Sequence, residues 1–245
     1  MSQNHDEKSA NHNADPGVSR RRFLSVAGAA VAGLAVSRPA FAKEPPKPQN
    51  VLSPDAALDR LVAGNGRYVQ GVALRHDFKH EREALVGGQN PFAAILSCSD
   101  SRIAPEYAFD SARGDLFVVR VAGNFATDDG IASMEYAVSV LKTPLILVLG
   151  HQSCGAVSAT ISSIRDGTTL PGHLPSLVTG IAPAVRPVLD QPGNVLENAT
   201  RRNVTLAVEK LKGAAPILDQ YVSDGKLRVV GGLYRLDTGK VELLG

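Results

Sequence analysis

Pro144-Leu145-Ile146-Leu147-Val148-Leu149-Gly150-His151-Gln152-Ser153-Cys154-Gly155 decides the fold class of this chain. The stretch from Pro144 to Leu149 is apolar without alternation, which reads as a strand buried on both faces, as in a parallel sheet covered by helices. It ends in a polar cluster where such a strand hands over to a helix. The flanking sequence repeats the arrangement. Phe92 to Leu96 is a short apolar run behind Pro91, and Leu116 to Val121 is another. Gly130 to Leu141 has helical spacing in Ile131, Met134, Ala137, Val138 and Leu141, and Gly155 to Ile164 reads as a helix stopping at Asp166-Gly167. Residues 176–189 and 194–211 read as two more helices, the first weakened by Pro183 and Pro187. Lys226 to Leu233 reads as a strand, and Lys240 to Leu244 as a shorter one that pairs with it across Asp237-Thr238-Gly239. Upstream, Ser53-Pro54-Asp55 supplies an N-cap, a first-turn proline and a first-turn acid. Leu58, Leu61, Val62, Tyr68 and Val69 carry that helix to Gly71, with Gly64 and Gly66 as points where it could break. The alternation predicts an α/β fold with a mainly parallel central β-sheet flanked by helices, and a short C-terminal hairpin or edge strand.

The N-terminal stretch has a different character. Residues 1–19 are polar, and Ser19-Arg20-Arg21-Arg22-Phe23-Leu24 comes next. Phe23 to Val36 is 14 uncharged residues, and Arg38-Pro39-Ala40-Phe41-Ala42 closes the segment. A helix of that length rises about 21 Å, short of the roughly 30 Å hydrocarbon core. A charged start, a short apolar run and an A-x-A site make a cleavable export signal over 1–42. Paired arginines followed by Phe-Leu resemble a twin-arginine leader, which places the protein in the periplasm with the export machinery as a partner. The competing reading is a surface helix of the mature protein. Residues 43–50 form a Pro-rich linker, which leaves 51–245 as a single domain.

The chain has 245 residues, is 44% hydrophobic and carries a formal net charge of +2. Five basic residues (Lys8, Arg20, Arg21, Arg22, Arg38) and three acidic ones (Asp6, Glu7, Asp15) lie in the leader, so the remainder is balanced and no nucleic-acid partner is expected. With 2 cysteines, a disulfide-dense scaffold and a zinc site of three or four cysteines are excluded.

Polar clusters come directly after two of the predicted strands: Cys98-Ser99-Asp100-Ser101-Arg102 and Gly150-His151-Gln152-Ser153-Cys154-Gly155. Carboxyl ends of parallel strands are where open α/β sheets build their sites. Cys98, His151 and Cys154 are a candidate three-ligand zinc set with a fourth position open to water. His151 and Cys154 are three apart, so one turn of chain presents both to one point. Three other readings use the same residues: a Cys98–Cys154 disulfide in an exported protein, a cysteine nucleophile with a histidine base, and two buried structural cysteines beside an Asp100–Arg102 ion pair. His76, His80 and His173 have no ligand-like spacing to these motifs.

Taken together, Cys98-Ser-Asp-Ser-Arg102 and His151-x-x-Cys154-Gly155 resemble the β-class carbonic anhydrases. The resemblance extends to the helix from Ser53 to Gly71, Gln89, Gly114 to Asn124, Glu135-Tyr136-Ala137-Val138 and Asp237 to Val241. It implies one Zn2+ per subunit on Cys98, His151 and Cys154, with hydroxide on the metal attacking CO2 to give bicarbonate. It implies that Arg102 keeps the Asp100 carboxylate ionised and turned from the metal, where it accepts a hydrogen bond from the attacking oxygen. It implies that Gln89, Phe117, Tyr136 and Gly155 border the substrate pocket, some of them across a subunit interface, so a homodimer or dimer of dimers is expected. The alternative on the same scaffold is a carbonyl sulfide or carbon disulfide hydrolase. From another class stands a non-catalytic protein, stapled by a disulfide or binding zinc.

Overall fold

The computed structural model describes residues 51–244. The export signal expected over 1–42 and the linker expected over 43–50 lie outside the described residues. Helix α1 (Pro54–Val69) starts where Ser53 accepts a hydrogen bond from the Ala56 N–H at 3.2 Å, with Pro54 in its first turn. It does not break at Gly64 or Gly66. Gly64 is there for space: a Cβ at that position would stand 2.0 Å from the Phe109 carbonyl oxygen. The glycine therefore lets a helix and a neighbouring turn approach closely.

A short helix α2 (Phe78–Ala84), capped by Asp77, precedes β1 (Ala93–Ser97). A one-turn helix α3 (Pro105–Ala108) leads to β2 (Leu116–Arg120), then α4 (Asp128–Ser139) capped by Thr127, and β3 (Leu145–His151). Helices α5 (Gly155–Asp166) and α6 (Pro175–Val185) are next, α6 running on into a single 3-10 turn over Arg186–Val188 that holds Pro187. Then come α7 (Val195–Lys212), α8 (Leu218–Ser223), β4 (Arg228–Tyr234) and β5 (Val241–Leu244). The sheet order is β2-β1-β3-β4-β5, parallel throughout except for β5, which pairs antiparallel with β4.

Alternate side chains of the strands serve two cores, as the two-residue period of a strand requires. Ala94, Leu96, Ile146 and Val148 pack against Met134, Val138, Val204 and Leu211 on one face. Ala93, Ile95, Leu145, Leu147 and Leu149 pack against Ala57, Leu58 and Leu61 of α1 on the other. This double coverage is why the central strands carry no polar alternation. Two strand registers position the polar clusters. Ser97 stands opposite Leu149, and His151 stands opposite Tyr234. The chain leaving β1 and the end of β3 therefore emerge at the same edge of the sheet.

Gly64→Ala is expected to lower stability by about 1–3 kcal/mol through forced overpacking against Phe109. A thermal melt checks this, and an unchanged midpoint would contradict it.

Candidate metal centre

Cys98 is the first residue after β1, His151 the last of β3, and Cys154 the N-cap of α5. All three are buried, at 4%, 0% and 0% exposure. Their ligand atoms lie within 4.8 Å of one another. Among the described residues they are the one such grouping of His, Cys, Asp or Glu. Both cysteines are free thiols, so the disulfide reading is not what the structure shows. The sulfurs sit in an apolar cluster with Val157, Ile161, Ile181, Val185 and Ala199.

Backbone anchors set the ring and the sulfurs. The His151 Nδ1 lies 2.9 Å from the Gln152 carbonyl oxygen, which only accepts, so Nδ1 carries the hydrogen. Nε2 is left with its lone pair, buried and without a hydrogen-bond partner among the described residues. A buried nitrogen in that condition is costly unless something electropositive meets it. Ser153 takes φ 54°, a left-handed conformation unusual for a residue with a Cβ, and this tight turn brings Cys154 back beside His151. The turn is tied to β4: the Gln152 N–H donates to the Tyr234 carbonyl at 2.9 Å, and the Leu236 N–H donates to Gln152 Oε1 at 3.0 Å.

The Gly123 N–H donates to Cys98 Sγ at 3.2 Å, and the Gly123 carbonyl accepts from Asn203 Nδ2 at 2.7 Å. Gly123 has φ +84°, and a Cβ there would meet Ile181 at 2.5 Å, so only glycine can present this N–H to the sulfur. The Cys98 thiol is drawn down chiefly by its hydrogen bond with Cys154, against the opposing effect of burial, with the Gly123 N–H assisting. Cys154 is pushed up by the same pairing and by burial, while the N–H groups of Val157 and Ala156 at the start of α5 favour its thiolate. One sulfur is thus poised to ionise, and the second needs a cation.

Two sulfurs and one imidazole with a free Nε2, gathered at one buried point, suit zinc. Three protein donors leave a fourth position, as a catalytic site requires.

Asp100 stands beside this group, its Oδ2 3.9 Å from His151 Nε2. Arg102 grips it three times: its backbone N–H and Nε each donate to Oδ1 at 2.9 Å, and Nη2 donates to Oδ2 at 2.7 Å. These side-chain bonds hold the Asp100 carboxyl far below the usual carboxylate range, although burial pushes the other way. Arg102 Nη2 also donates to the Ser153 carbonyl at 3.2 Å, joining the two motifs.

The expected pocket residues are placed differently. Gly155 opens α5 at the metal centre. Gln89 and Tyr136 instead line a cavity of about 570 Å3 with Arg82, Leu85 and Arg113. The Phe117 ring packs against Tyr136 at 6.3 Å between centroids. Phe117 stands opposite Ala94, four residues back along β1 from Cys98, which is about 13 Å at the rise of a strand. Within one chain these three do not converge on the metal ligands. Neither does a cavity of about 670 Å3 lined by Val72, Phe78, Tyr107 and Leu116. His80 and His173 are exposed, and His76 pairs with Glu81. Gln152, Gly123 and Asn203 carried no role in the sequence reading. Each acts through a backbone group or on one, so their spacing in the sequence does not mark them.

The carbonic anhydrase family profile matches residues 93–241. Carbonic anhydrase 2 of Mycobacterium tuberculosis is 39% identical over 193 residues, covering 78% of this chain and 93% of that protein. Among solved structures, the β-carbonic anhydrase CcaA superposes with a TM-score of 0.61 at 28% identity, covering 78% of this chain and 92% of that one. A tetrameric β-carbonic anhydrase from Sordaria macrospora shares the fold, with a TM-score of 0.61 at 22% identity over 78% of this chain and 95% of that one.

Arg102 holds the Asp100 carboxyl low, so Arg102→Ala is expected to raise the Asp100 pKa towards the usual carboxylate range. Carboxyl carbon NMR across an acid titration reads it directly. An unmoved Asp100 would contradict the assignment.

Proposed function

The chain belongs to the carbonic anhydrase family, in its β class, and catalyses the zinc-dependent, reversible hydration of CO2 to bicarbonate and a proton; we propose that Cys98, His151 and Cys154 hold the zinc, that Asp100 and Arg102 orient the reacting oxygen, and that the protein works as an exported oligomer. The observation that carries the site assignment is the buried, unpartnered Nε2 of His151, placed among two thiols and 3.9 Å from an Asp100 oxygen.

Cys98, His151 and Cys154 would hold the zinc, which would supply a Lewis acid able to make water a nucleophile near neutral pH. The residues of the chain do the rest. Thiolates at Cys98 and Cys154 balance a divalent cation, so no net charge is left in the apolar cluster around them. The Gln152 carbonyl holds the His151 ring by Nδ1 and leaves the Nε2 lone pair available as a ligand. Asp100, held ionised, can accept a hydrogen bond and cannot donate one. It therefore fixes the hydrogen of the attacking oxygen and aims a lone pair at the carbon of CO2. A carboxylate of such low pKa does not store the released proton. That proton leaves at the mouth of the site, where the Arg102 side chain is 51% exposed.

The oligomer is supported by the outer edge of the sheet. β2 is an edge strand, and its apolar residues Leu116, Phe117, Val118 and Val119 are half-buried in a single chain. Val72, Phe78 and Tyr107, which line a cavity with Leu116, are exposed. An apolar edge of this kind is a template for association. Gln89, Phe117 and Tyr136 lie towards that edge, so association there is what would carry them to a neighbouring subunit's metal centre. Export is supported by the sequence Ser19-Arg20-Arg21-Arg22-Phe23-Leu24 and the short apolar run behind it. No helix among the described residues is long and apolar enough to cross a membrane.

One expression experiment tests the reading. Periplasmic fractions should contain an oligomer with about one zinc per chain that hydrates CO2, and Asp100→Asn should lower kcat/KM by about 10–100-fold. Arg20→Lys with Arg21→Lys should hold the protein in the cytoplasm. Zinc-loaded protein that hydrolyses carbonyl sulfide without hydrating CO2 would contradict the substrate. A monomer with full activity would contradict the assembly, and unaltered export of the twin-lysine variant would contradict the route.

A further inference from the structure

We propose that Arg120 is a positioning residue for the metal centre: one guanidinium holds the carbonyl oxygens of Cys98, Asp100 and Ile103, and so fixes where the Cys98 sulfur and the Asp100 carboxylate stand. This rests on the reading of the site as a zinc centre for CO2 hydration.

The geometry begins in the sheet. Arg120 is the last residue of β2 and stands opposite Ser97, the last residue of β1. One further rung, from the Val121 N–H to the Ser97 carbonyl at 3.1 Å, completes the ladder. Beyond it the chain of residues 98–103 turns away, and its carbonyls lose the partners a strand would give them. Arg120 supplies those partners from the side. Its Nε donates to the Cys98 carbonyl at 3.0 Å, and Nη2 donates to the carbonyls of Asp100 and Ile103, each at 2.8 Å. The Asp100 carbonyl also accepts from the Ile103 N–H at 3.2 Å, which closes the turn on itself.

These three carbonyls belong to a metal ligand, to the orienting carboxylate residue, and to a core residue buried at 1% exposure. The clamp therefore ties the turning part of the motif to the packed part. Among the described residues Arg120 forms no ion pair, and its Nε and Nη2 donate to backbone carbonyls instead. The planar fork of arginine suits this task, because its donors point to separated acceptors at fixed angles. A lysine ammonium offers a single point from which three carbonyls cannot be met with the same geometry. Cys98 is held at its sulfur by Gly123 and at its carbonyl by Arg120, so both ends of the residue are fixed from the β2 side.

The test uses the zinc-loaded full protein, its Arg120→Ala and Arg120→Lys variants, and four readouts. Circular dichroism and melting report the fold, chelator competition reports zinc affinity, stopped-flow reports CO2 hydration per bound zinc, and hydrogen exchange reports the peptide covering 98–103. Arg120→Ala should stay folded, hold zinc about 10–100-fold more weakly and lose a similar factor in kcat. KM should move less than about threefold. Exchange should rise in 98–103 and stay unchanged in β3. Arg120→Lys should fall between Arg120→Ala and the unaltered protein. Folded variants with unchanged zinc affinity, kcat and exchange would overturn the proposal. So would failure of both variants to fold, which would assign Arg120 to stability instead. Should Arg120→Ala alone fail to fold, Arg120→Lys carries the same readouts. An unaltered protein that binds zinc but does not hydrate CO2 would overturn the functional reading, while zinc affinity and exchange would still judge Arg120.

Discussion

The pairing of β1 with β3, in the register that sets Ser97 opposite Leu149, is the constraint on which the site depends. It brings Cys98 and His151, 53 positions apart in sequence, to one edge of the sheet. A one-residue slip would turn every side chain of a strand to the opposite face. Here such a slip would set Ala93 and Ile95 against the wrong core and carry Cys98 away from His151. The register is held by the two apolar cores, since each strand residue has a distinct partner set above and below the sheet. Packing energy far from the candidate metal centre thus fixes where its ligand atoms stand.

Given that register, the polar parts of the site show a division of labour. The strands contribute position and the loops contribute chemistry. Two thiols, an imidazole nitrogen and a nearby carboxylate would be a poor arrangement to bury in an apolar cluster on their own. Each is met by a specific device. Cys98 has the Gly123 N–H, Cys154 has the start of α5, and His151 Nδ1 has the Gln152 carbonyl. Asp100 has Arg102 on three donors. Among the described residues, the one buried atom of the set left without a partner is His151 Nε2, and the ligand atoms of the three residues lie within 4.8 Å of one another.

Much of this was legible in the sequence, for physical reasons. The unalternating run at Leu145–Leu149 announced a strand covered on both sides, and its polar ending announced the site. The candidate ligand set came from residue type, because few side chains bind zinc. Other features were not legible. Gly64 read as a possible helix break, because a sequence does not show whether a glycine serves flexibility or close approach, and the Phe109 carbonyl decides that. Arg120, Gly123 and Asn203 act on or through backbone groups brought close by strand pairing, so nothing in their spacing marks them. Gln89, Phe117 and Tyr136 stand apart from the candidate metal ligands within one chain, and strand and helix patterns in a sequence carry no distance between such elements.

The central claim is that Cys98, His151 and Cys154 hold one zinc and leave its fourth position free. Zinc K-edge X-ray absorption of the purified protein tests it most directly. The account predicts two sulfur neighbours at about 2.3 Å and two nitrogen or oxygen neighbours at about 2.0–2.2 Å. A first shell without sulfur, or one made of four sulfurs shared between chains, would contradict it.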